Sequence, residues 1–336
     1  MLALVQITPW HWLGFICCVL ILLSIDLGLF HRRAHIVKFK EALAWTAVWI
    51  SLAMFFALAL KHFRTDKEAL QFVTGYLIEL SLSMDNVFVM ALIFAHFAIP
   101  AKLQHRVLFW GILGALVMRG LMIGAGVALV MRLHWVLYIC GLFLLYSGFK
   151  TMFVKSEVDP SKSRVLRWTR KFFPVTPHLD GQKFLTVWQG GRALTPLALV
   201  LVMVETSDLV FAVDSIPAIF AVTTKPFIVF TSNVFAILGL RTLYFVLAGA
   251  ISYFRYLKYG LSLVLILIGI KMLLDPPDVG PKLYRFQVET PIGLWLLVVA
   301  GVILISITLS VTAAYREKKQ LAHRAKAGTE TAGEKK

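Results

Sequence analysis

Long apolar runs separated by short polar stretches dominate this chain. A transmembrane helix needs roughly 17–25 predominantly apolar residues, and runs of that length recur nine times. The pattern therefore predicts an all-α, polytopic membrane protein with about nine transmembrane helices. The approximate bounds of the predicted spans are residues 10–30, 40–60, 71–97, 105–131, 134–153, 194–222, 227–250, 258–274 and 291–314.

Composition supports this class. Hydrophobic residues make up 59% of the 336 positions, whereas soluble domains contain about 45–50%. The first run is long enough to remain in the membrane and no basic residue precedes it, so we expect no cleaved signal peptide. Cys17, Cys18 and Cys140 lie in predicted spans without zinc or redox spacing, which favours a packing role.

The basic residues are distributed unevenly between the two sides of the predicted membrane. If the N-terminus lies outside, 24 of the 34 Lys and Arg residues fall on the inner side and 7 on the outer side. This positive-inside pattern predicts an external N-terminus and a cytoplasmic C-terminus. The net charge of +16 thus orients the chain in its lipid bilayer and indicates no nucleic-acid partner, while the oligomeric state stays open.

Charged residues in the spans repeat along the chain at nearly constant separations of 123, 122 and 121 positions. The three pairs are Asp85 and Asp208, Arg119 and Arg241, and Lys150 and Lys271. Because each unit has three spans, the second unit enters the bilayer from the opposite side. The sequence therefore predicts an inverted 3+3 helix repeat, an architecture that places transport sites near the membrane midplane.

The predicted organisation has six parts. Residues 1–70 hold accessory helices, 71–153 the first repeat, 154–193 a basic cytoplasmic loop, 194–274 the second repeat, 275–315 the last span and 316–336 a disordered cytoplasmic tail. Arg164, Arg167, Arg170 and Lys171 have near-helical spacing. They predict an amphipathic helix on the anionic inner leaflet, with a solvated linker as the alternative.

Acidic residues inside the spans are the candidate functional groups. Each would cost at least about 2.5–3.5 kcal/mol at the centre of a lone helix, so it must be paired, protonated or bound to a cation. Carboxylate, amide and hydroxyl oxygens without His or Cys suit the hard cations Mn²⁺, Mg²⁺ and Ca²⁺. We expect a metal site from Glu79, Asp85, Asn86, Glu205, Asp208, Asp214 and Ser215, with Arg119 and Arg241 balancing charge.

Helical periodicity sorts these groups onto different faces. Glu79, Ser83 and Asn86 share one face of their span. Asp214 points about 120° away from Asp208 on an ideal helix, so an unbroken helix cannot direct both at one ion. Pro217 removes the hydrogen bond to the Val213 carbonyl, which predicts a helix break beside Asp214.

Structural roles are the alternatives for several of these residues. The two arginines either form permanent ion pairs, keep some of the acids ionised, or replace the cation when the site is empty. Asn86 and Ser215 could serve only as hydrogen-bonding groups between helices. Asp26 lies near the inner end of the first span, where its carboxylate is either functional or in contact with water.

Two acidic motifs resemble those of the TerC family, most closely its Alx-like branch. They are Ser83-Met-Asp-Asn-Val-Phe-Val89 and Glu205-Thr-Ser-Asp-Leu-Val-Phe-Ala-Val-Asp-Ser-Ile-Pro217, with Thr74-Gly-Tyr-Leu-Ile-Glu79 upstream. The resemblance covers about residues 10–315. It implies a bacterial inner-membrane protein related to cation exporters, associated with manganese export, the response to alkaline pH and tellurium resistance. It places the family's membrane acids on Glu79, Asp85, Glu205, Asp208 and Asp214.

The leading hypothesis is a non-enzymatic Mn²⁺ exporter coupled to protons or sodium, without a tightly bound cofactor. A membrane-assembly, redox-modulating or tellurite-resistance factor is the second hypothesis, although no redox-type cysteine pair supports it. The third is an intramembrane aspartyl protease that would use Asp85 and Asp208. Neither acid has the Gly-x-Gly-Asp setting that such proteases resemble.

Overall fold

The computed structural model describes residues 7–30, 39–153, 164–248, 257–275 and 291–333. These residues form ten helices and one β-hairpin. The elements in chain order are α1 (Pro9–Phe30), α2 (Phe39–Phe63), α3 (Asp66–His96), α4 (Ala101–Arg132), α5 (Val136–Phe153), α6 (Arg164–Phe172), β1 (Leu185–Trp188), β2 (Gly191–Leu194), α7 (Pro196–Phe220), α8 (Pro226–Ala248), α9 (Leu257–Leu274) and α10 (Ile292–Gly333).

Local sequence signals define the starts of the two helices that carry most of the acids. The Thr65 hydroxyl accepts a hydrogen bond from the Glu68 backbone N–H at 3.1 Å, at the start of α3. Thr195 does the same for Ala198 at 3.3 Å, and Pro196 occupies the first turn of α7. Such caps satisfy backbone donors that have no partner within the helix.

Seven of the helices are long and apolar enough to cross a membrane, namely α2, α3, α4, α5, α7, α8 and α10. Large apolar side chains on their outer surfaces are exposed, among them Phe55, Leu121 and Leu297. Lipid favours such surfaces. The chain is therefore an all-α, polytopic membrane protein. The other two predicted spans lie on α1 and α9, so the total of nine stays a prediction.

The centre of the bundle is formed by α3, α4, α7 and α8. The first two of these helices each contact both α7 and α8, while α5 packs along α9. Most of α8 is buried, including its polar residues Thr231, Ser232 and Asn233. Lipid cannot form hydrogen bonds with polar side chains. These residues therefore turn this part of α8 towards the other helices.

The contact between α5 and α9 relies on close backbone approach at glycines. A Cβ on Gly148 would lie 3.0 Å from the Ser262 carbonyl oxygen, and one on Gly269 would lie 2.9 Å from the Gly141 oxygen. Gly148 and Gly269 are separated by 121 positions, as are Gly141 and Ser262. The predicted repeat thus relates the two contacts to each other, although the inverted repeat itself stays a prediction.

One prediction about helix continuity was wrong. Pro217 does not break its helix, since α7 continues to Phe220. Proline is tolerated in membrane helices because neighbouring groups satisfy the freed carbonyl, and here it lies in the final turn. Beyond residue 315, α10 continues to Gly333, while the predicted disorder of the tail stays a prediction. Its Lys, Ala, Glu and Arg residues are strong helix formers that extend an existing helix.

The basic loop contains both expected and unexpected structure. The predicted amphipathic helix is present as α6. The sequence interpretation missed the hairpin, in which Leu185 pairs with Leu194 and Trp188 with Gly191. Its turn residues Gln189 and Gly190 have φ values of 50° and 82°, which suit a two-residue hairpin turn.

Candidate functional site

Arg119 on α4 lies between the two most deeply buried acids of the bundle. Its Nη2 and Nε atoms donate to the Asp208 carboxylate on α7 at 3.1 and 3.3 Å. Its Nη1 atom forms an ion pair with Glu79 on α3. Arg119 is only 3% exposed. One guanidinium therefore joins acids from both predicted repeats near the middle of the bundle.

Amides complete this network. Asn86 donates from Nδ2 to Asp208 Oδ1 at 2.5 Å. Asn233 on α8 donates to Glu79 Oε2 at 3.2 Å and accepts from Arg119 Nη1 at 3.0 Å. Sequence reasoning missed Asn233. The polar triplet that ends in it, within an apolar span, was the signal that could have identified it.

A hydroxyl adds a weaker contact to the network. Ser215, two turns after Asp208 on α7, is buried, and its Oγ accepts a hydrogen bond from Arg119 Nη1 at 3.4 Å. The structure therefore brings together five of the predicted residues, with Asn233 as a sixth member. The five are Glu79, Asn86, Arg119, Asp208 and Ser215.

Two neutral oxygens beside this network stand out because they form no hydrogen bond within the described part of the chain. These are Ser83 Oγ and Asn86 Oδ1 on α3, and both residues are buried. They lie on the helical face of Glu79, as the periodicity predicts. Most buried polar atoms have a hydrogen-bond partner, so two such oxygens beside a buried acid indicate capacity for a ligand.

Glu205 lies beside this network without joining it. Its carboxylate rests on the backbone of α4 at Gly114, where a Cβ would lie 2.0 Å from Oε1 and 2.4 Å from Cδ. It is half-buried, experiences the charge of Asp208 and accepts no hydrogen bond from the described residues. Gly114 is thus a second residue that sequence reasoning missed, although small residues commonly mark close contacts between membrane helices.

The remaining predicted residues lie elsewhere. Asp214 accepts a hydrogen bond from Ser147 Oγ on α5 at 3.0 Å. Asp85 is half-buried and interacts electrostatically with Lys258 on α9. Arg241 is buried on α8. The side chain of Asp26 lies outside the described residues.

The predicted metal ligands are therefore not assembled as one group in this arrangement. Within the described ranges, no three His, Cys, Asp or Glu side chains form a cluster that could hold a metal ion. The Arg119 guanidinium instead supplies the positive charge between Glu79 and Asp208. Whether Arg119 forms permanent ion pairs or replaces a cation stays a prediction.

Comparison with known proteins gives the family. The model of the integral membrane protein TerC family matches residues 64–321. The chain belongs to the TerC family. This TerC protein is 53% identical over 279 residues to an uncharacterized membrane protein of Myxococcus xanthus, covering 81% of this chain and 88% of that relative. It is 45% identical over 323 residues to the "Putative membrane-bound redox modulator Alx" of Escherichia coli K12, covering 93% of this chain and 98% of the relative.

A further relative is an uncharacterized membrane protein of Rickettsia bellii, 40% identical over 262 residues, which covers 78% of this chain and 87% of that protein. No solved structure matches the chain. The resemblance deduced from the acidic motifs is confirmed, and this TerC protein is a multi-pass membrane protein with bacterial relatives. The orientation of its termini stays a prediction.

Proposed function

We propose that this TerC protein transports a divalent metal cation, with Mn²⁺ as the main substrate, and exports it from the cell. The observation that carries the proposal is a pair of buried oxygens on α3, beside the Asn86 contact with Asp208. Ser83 Oγ and Asn86 Oδ1 have no hydrogen-bond partner among the described residues, and Asn86 also contacts the Asp208 carboxylate. Such neutral and anionic oxygens are ligands for hard cations.

Charge supports the same substrate class. When ionised, Glu79 and Asp208 exceed Arg119 by one negative charge, and adjacent Glu205 raises the excess to two. A low-dielectric interior makes such an excess costly. One divalent cation would neutralise it, whereas a monovalent cation would leave half of it.

Arg119 gives the transport cycle a physical basis. In the described arrangement its guanidinium occupies the space between Glu79 and Asp208. A metal ion can bind both acids only if the guanidinium moves aside, so metal binding and the Arg119 contacts exclude one another, while the Arg119 charge stays within the bundle. Exchange for protons or sodium would return the acids to a neutralised state without requiring nucleotide hydrolysis.

The proposed preference for Mn²⁺ over Mg²⁺ and Ca²⁺ rests on the thioether of Met84. Met84 is half-buried on α3 between Ser83 and Asp85. Its side chain packs against an apolar cluster in this arrangement. If it turned towards the site during transport, its thioether would be a softer ligand than oxygen, and soft ligands favour transition metals over Mg²⁺ and Ca²⁺. We therefore expect Met84→Leu to reduce the preference for Mn²⁺ while transport continues.

Metal flux into proteoliposomes tests the proposal, with Mn²⁺, Mg²⁺ and Ca²⁺ compared at equal protein content. Asp208→Asn should abolish Mn²⁺ flux because the amide keeps the shape but removes the charge that compensates for dehydration of the ion. Asp66→Asn is the matched control, since Asp66 is exposed at the start of α3. Wild-type flux in Asp208→Asn, or no flux of any of the three ions in the wild type, would contradict the proposal.

Redox modulation is the second candidate because it is the activity in the name of the Alx relatives. A thiol mechanism would have to use Cys17 and Cys18 on α1 or Cys140 on α5, and all three are unpaired. A variant with serine at all three positions distinguishes the two functions. Unchanged Mn²⁺ flux would support transport, whereas loss of flux with normal folding would favour a thiol-dependent mechanism.

A further inference from the structure

A basic and aromatic surface lies outside the proposed transport site, at the end of the bundle where α7 begins. We define the basic-aromatic surface as the exposed sides of α6 and the β1–β2 hairpin. Its position is fixed by contacts with the bundle. Leu166 of α6 is buried in an apolar cluster with Ile99 and Leu197, and Arg106 of α4 lies 5.2 Å from the ring centre of Phe184 beside the hairpin.

The outer side of α6 combines aromatic rings with cations. Trp168 and Phe172 are 66% and 63% exposed, and their ring centroids lie 5.9 Å apart. Arg167, Arg170 and Lys171 are exposed on the same short helix. An aromatic side chain that is exposed to water contributes little to stability. Aromatic rings beside Lys and Arg are, however, typical of a membrane interface.

The hairpin extends this surface. Leu185 and Val187 are exposed on one face of β1, and Arg192 lies opposite Val187 on β2 and is also exposed. Residues 164–194 contain six Lys or Arg residues and one acid, Asp180. This excess of positive charge is complementary to anionic headgroups.

The chain path places the surface at the edge of the bilayer. Strand β2 ends at Leu194, and α7, which is apolar enough to span a membrane, begins at Pro196. Only Thr195 separates the hairpin from this helix. We propose that the basic-aromatic surface binds anionic phospholipid headgroups of the adjacent leaflet, with Trp168 and Phe172 inserted between them.

Tryptophan quenching by brominated lipids in nanodiscs tests the contact. The full-length protein is reconstituted with phosphatidylcholine alone or with added phosphatidylglycerol, and the lipids carry bromine near the headgroup. Trp168→Phe is measured in parallel, and the difference between the two proteins isolates the emission of Trp168. We expect this emission to be quenched more strongly with phosphatidylglycerol, and high salt should remove the increase because it screens exposed charges.

Charge variants test the cause. Each basic residue near an anionic surface strengthens binding by roughly fivefold, so the triple variant Arg167→Gln, Arg170→Gln, Lys171→Gln should lose the phosphatidylglycerol-dependent quenching. Arg132→Gln is the matched control because Arg132 is exposed at the opposite end of α4. Equal quenching in both lipids, no quenching of Trp168, or an unaltered response in the triple variant would overturn the proposal.

Discussion

Gly114 offers a sharp test of how the bundle positions Glu205. In Gly114→Ala the new methyl carbon would lie 2.0 Å from Glu205 Oε1, whereas ordinary van der Waals contact begins at 3.4 Å. The carboxylate must therefore retreat by about 1.4 Å. A glutamate side chain can rotate, so the loss of stability should stay at or below the roughly 1–3 kcal/mol typical of overpacking. Binding sites tolerate displacements of only about 0.5 Å.

We therefore expect Gly114→Ala to fold and insert but to transport Mn²⁺ at least about tenfold more slowly, a loss that corresponds to about 1.4 kcal/mol. Proteoliposome flux measures this effect. Gly124→Ala is the matched control, because a Cβ on Gly124 meets no atom within 4 Å and the helix is the same. Any gain in helix propensity is thus common to both variants.

A second substitution tests whether Gly114→Ala acts by displacing the Glu205 carboxylate. Glu205→Asp shortens the side chain by one methylene and leaves room for the methyl group that Gly114→Ala adds. The double variant Gly114→Ala, Glu205→Asp should therefore transport faster than Gly114→Ala alone. Wild-type flux in Gly114→Ala, together with lost flux in Glu205→Gln, would refute the reasoning. Glu205 would then act without depending on the space at Gly114.

Three further predictions concern stability. Asn233→Leu removes a donor to Glu79 and an acceptor for Arg119, so it should lower the unfolding free energy by about 1–3 kcal/mol; an unchanged melting temperature in detergent would contradict this. Glu68 is held by Arg64 through two hydrogen bonds and by the more exposed Lys225. Because Lys225 still pairs with Glu68 when Arg64 is removed, Arg64→Met should lower the unfolding free energy by about 1.5–3 kcal/mol and Lys225→Met by about 1 kcal/mol or less; the reverse order of melting temperatures would refute this. Hydrogen bonds from Thr186 and Lys183 hold the pKa of Asp180 below its ordinary value. The ionised carboxylate therefore stabilises the hairpin fully above the ordinary pKa of an aspartate. This stabilisation is lost as the pH falls through the lowered pKa. On acidification, amide hydrogen exchange in residues 180–194 should therefore accelerate more in the wild type than in Asp180→Asn.

The sequence determined where most of the helices lie along the chain. A backbone in lipid must satisfy its own hydrogen bonds, so each long apolar run forms a helix whatever its neighbours are. The sequence also identified Glu79, Asp208 and Arg119 as candidate functional residues, because charged residues are scarce in membrane spans. It also placed Glu79, Ser83 and Asn86 on one face, since that face depends only on the 3.6-residue period.

Only the tertiary structure decided which of these groups meet. Asp85 and Asn86 are adjacent in sequence, yet Asn86 contacts Asp208 while Asp85 interacts electrostatically with Lys258. Helical periodicity gives the angle between neighbours, but the rotation of a helix about its axis depends on packing against other helices. The role of Asn233 between Arg119 and Glu79 has the same origin, because α8 and α3 lie 154 positions apart at this contact. Hydropathy along the chain therefore sets the depth of a residue in the membrane, whereas long-range packing selects its partners.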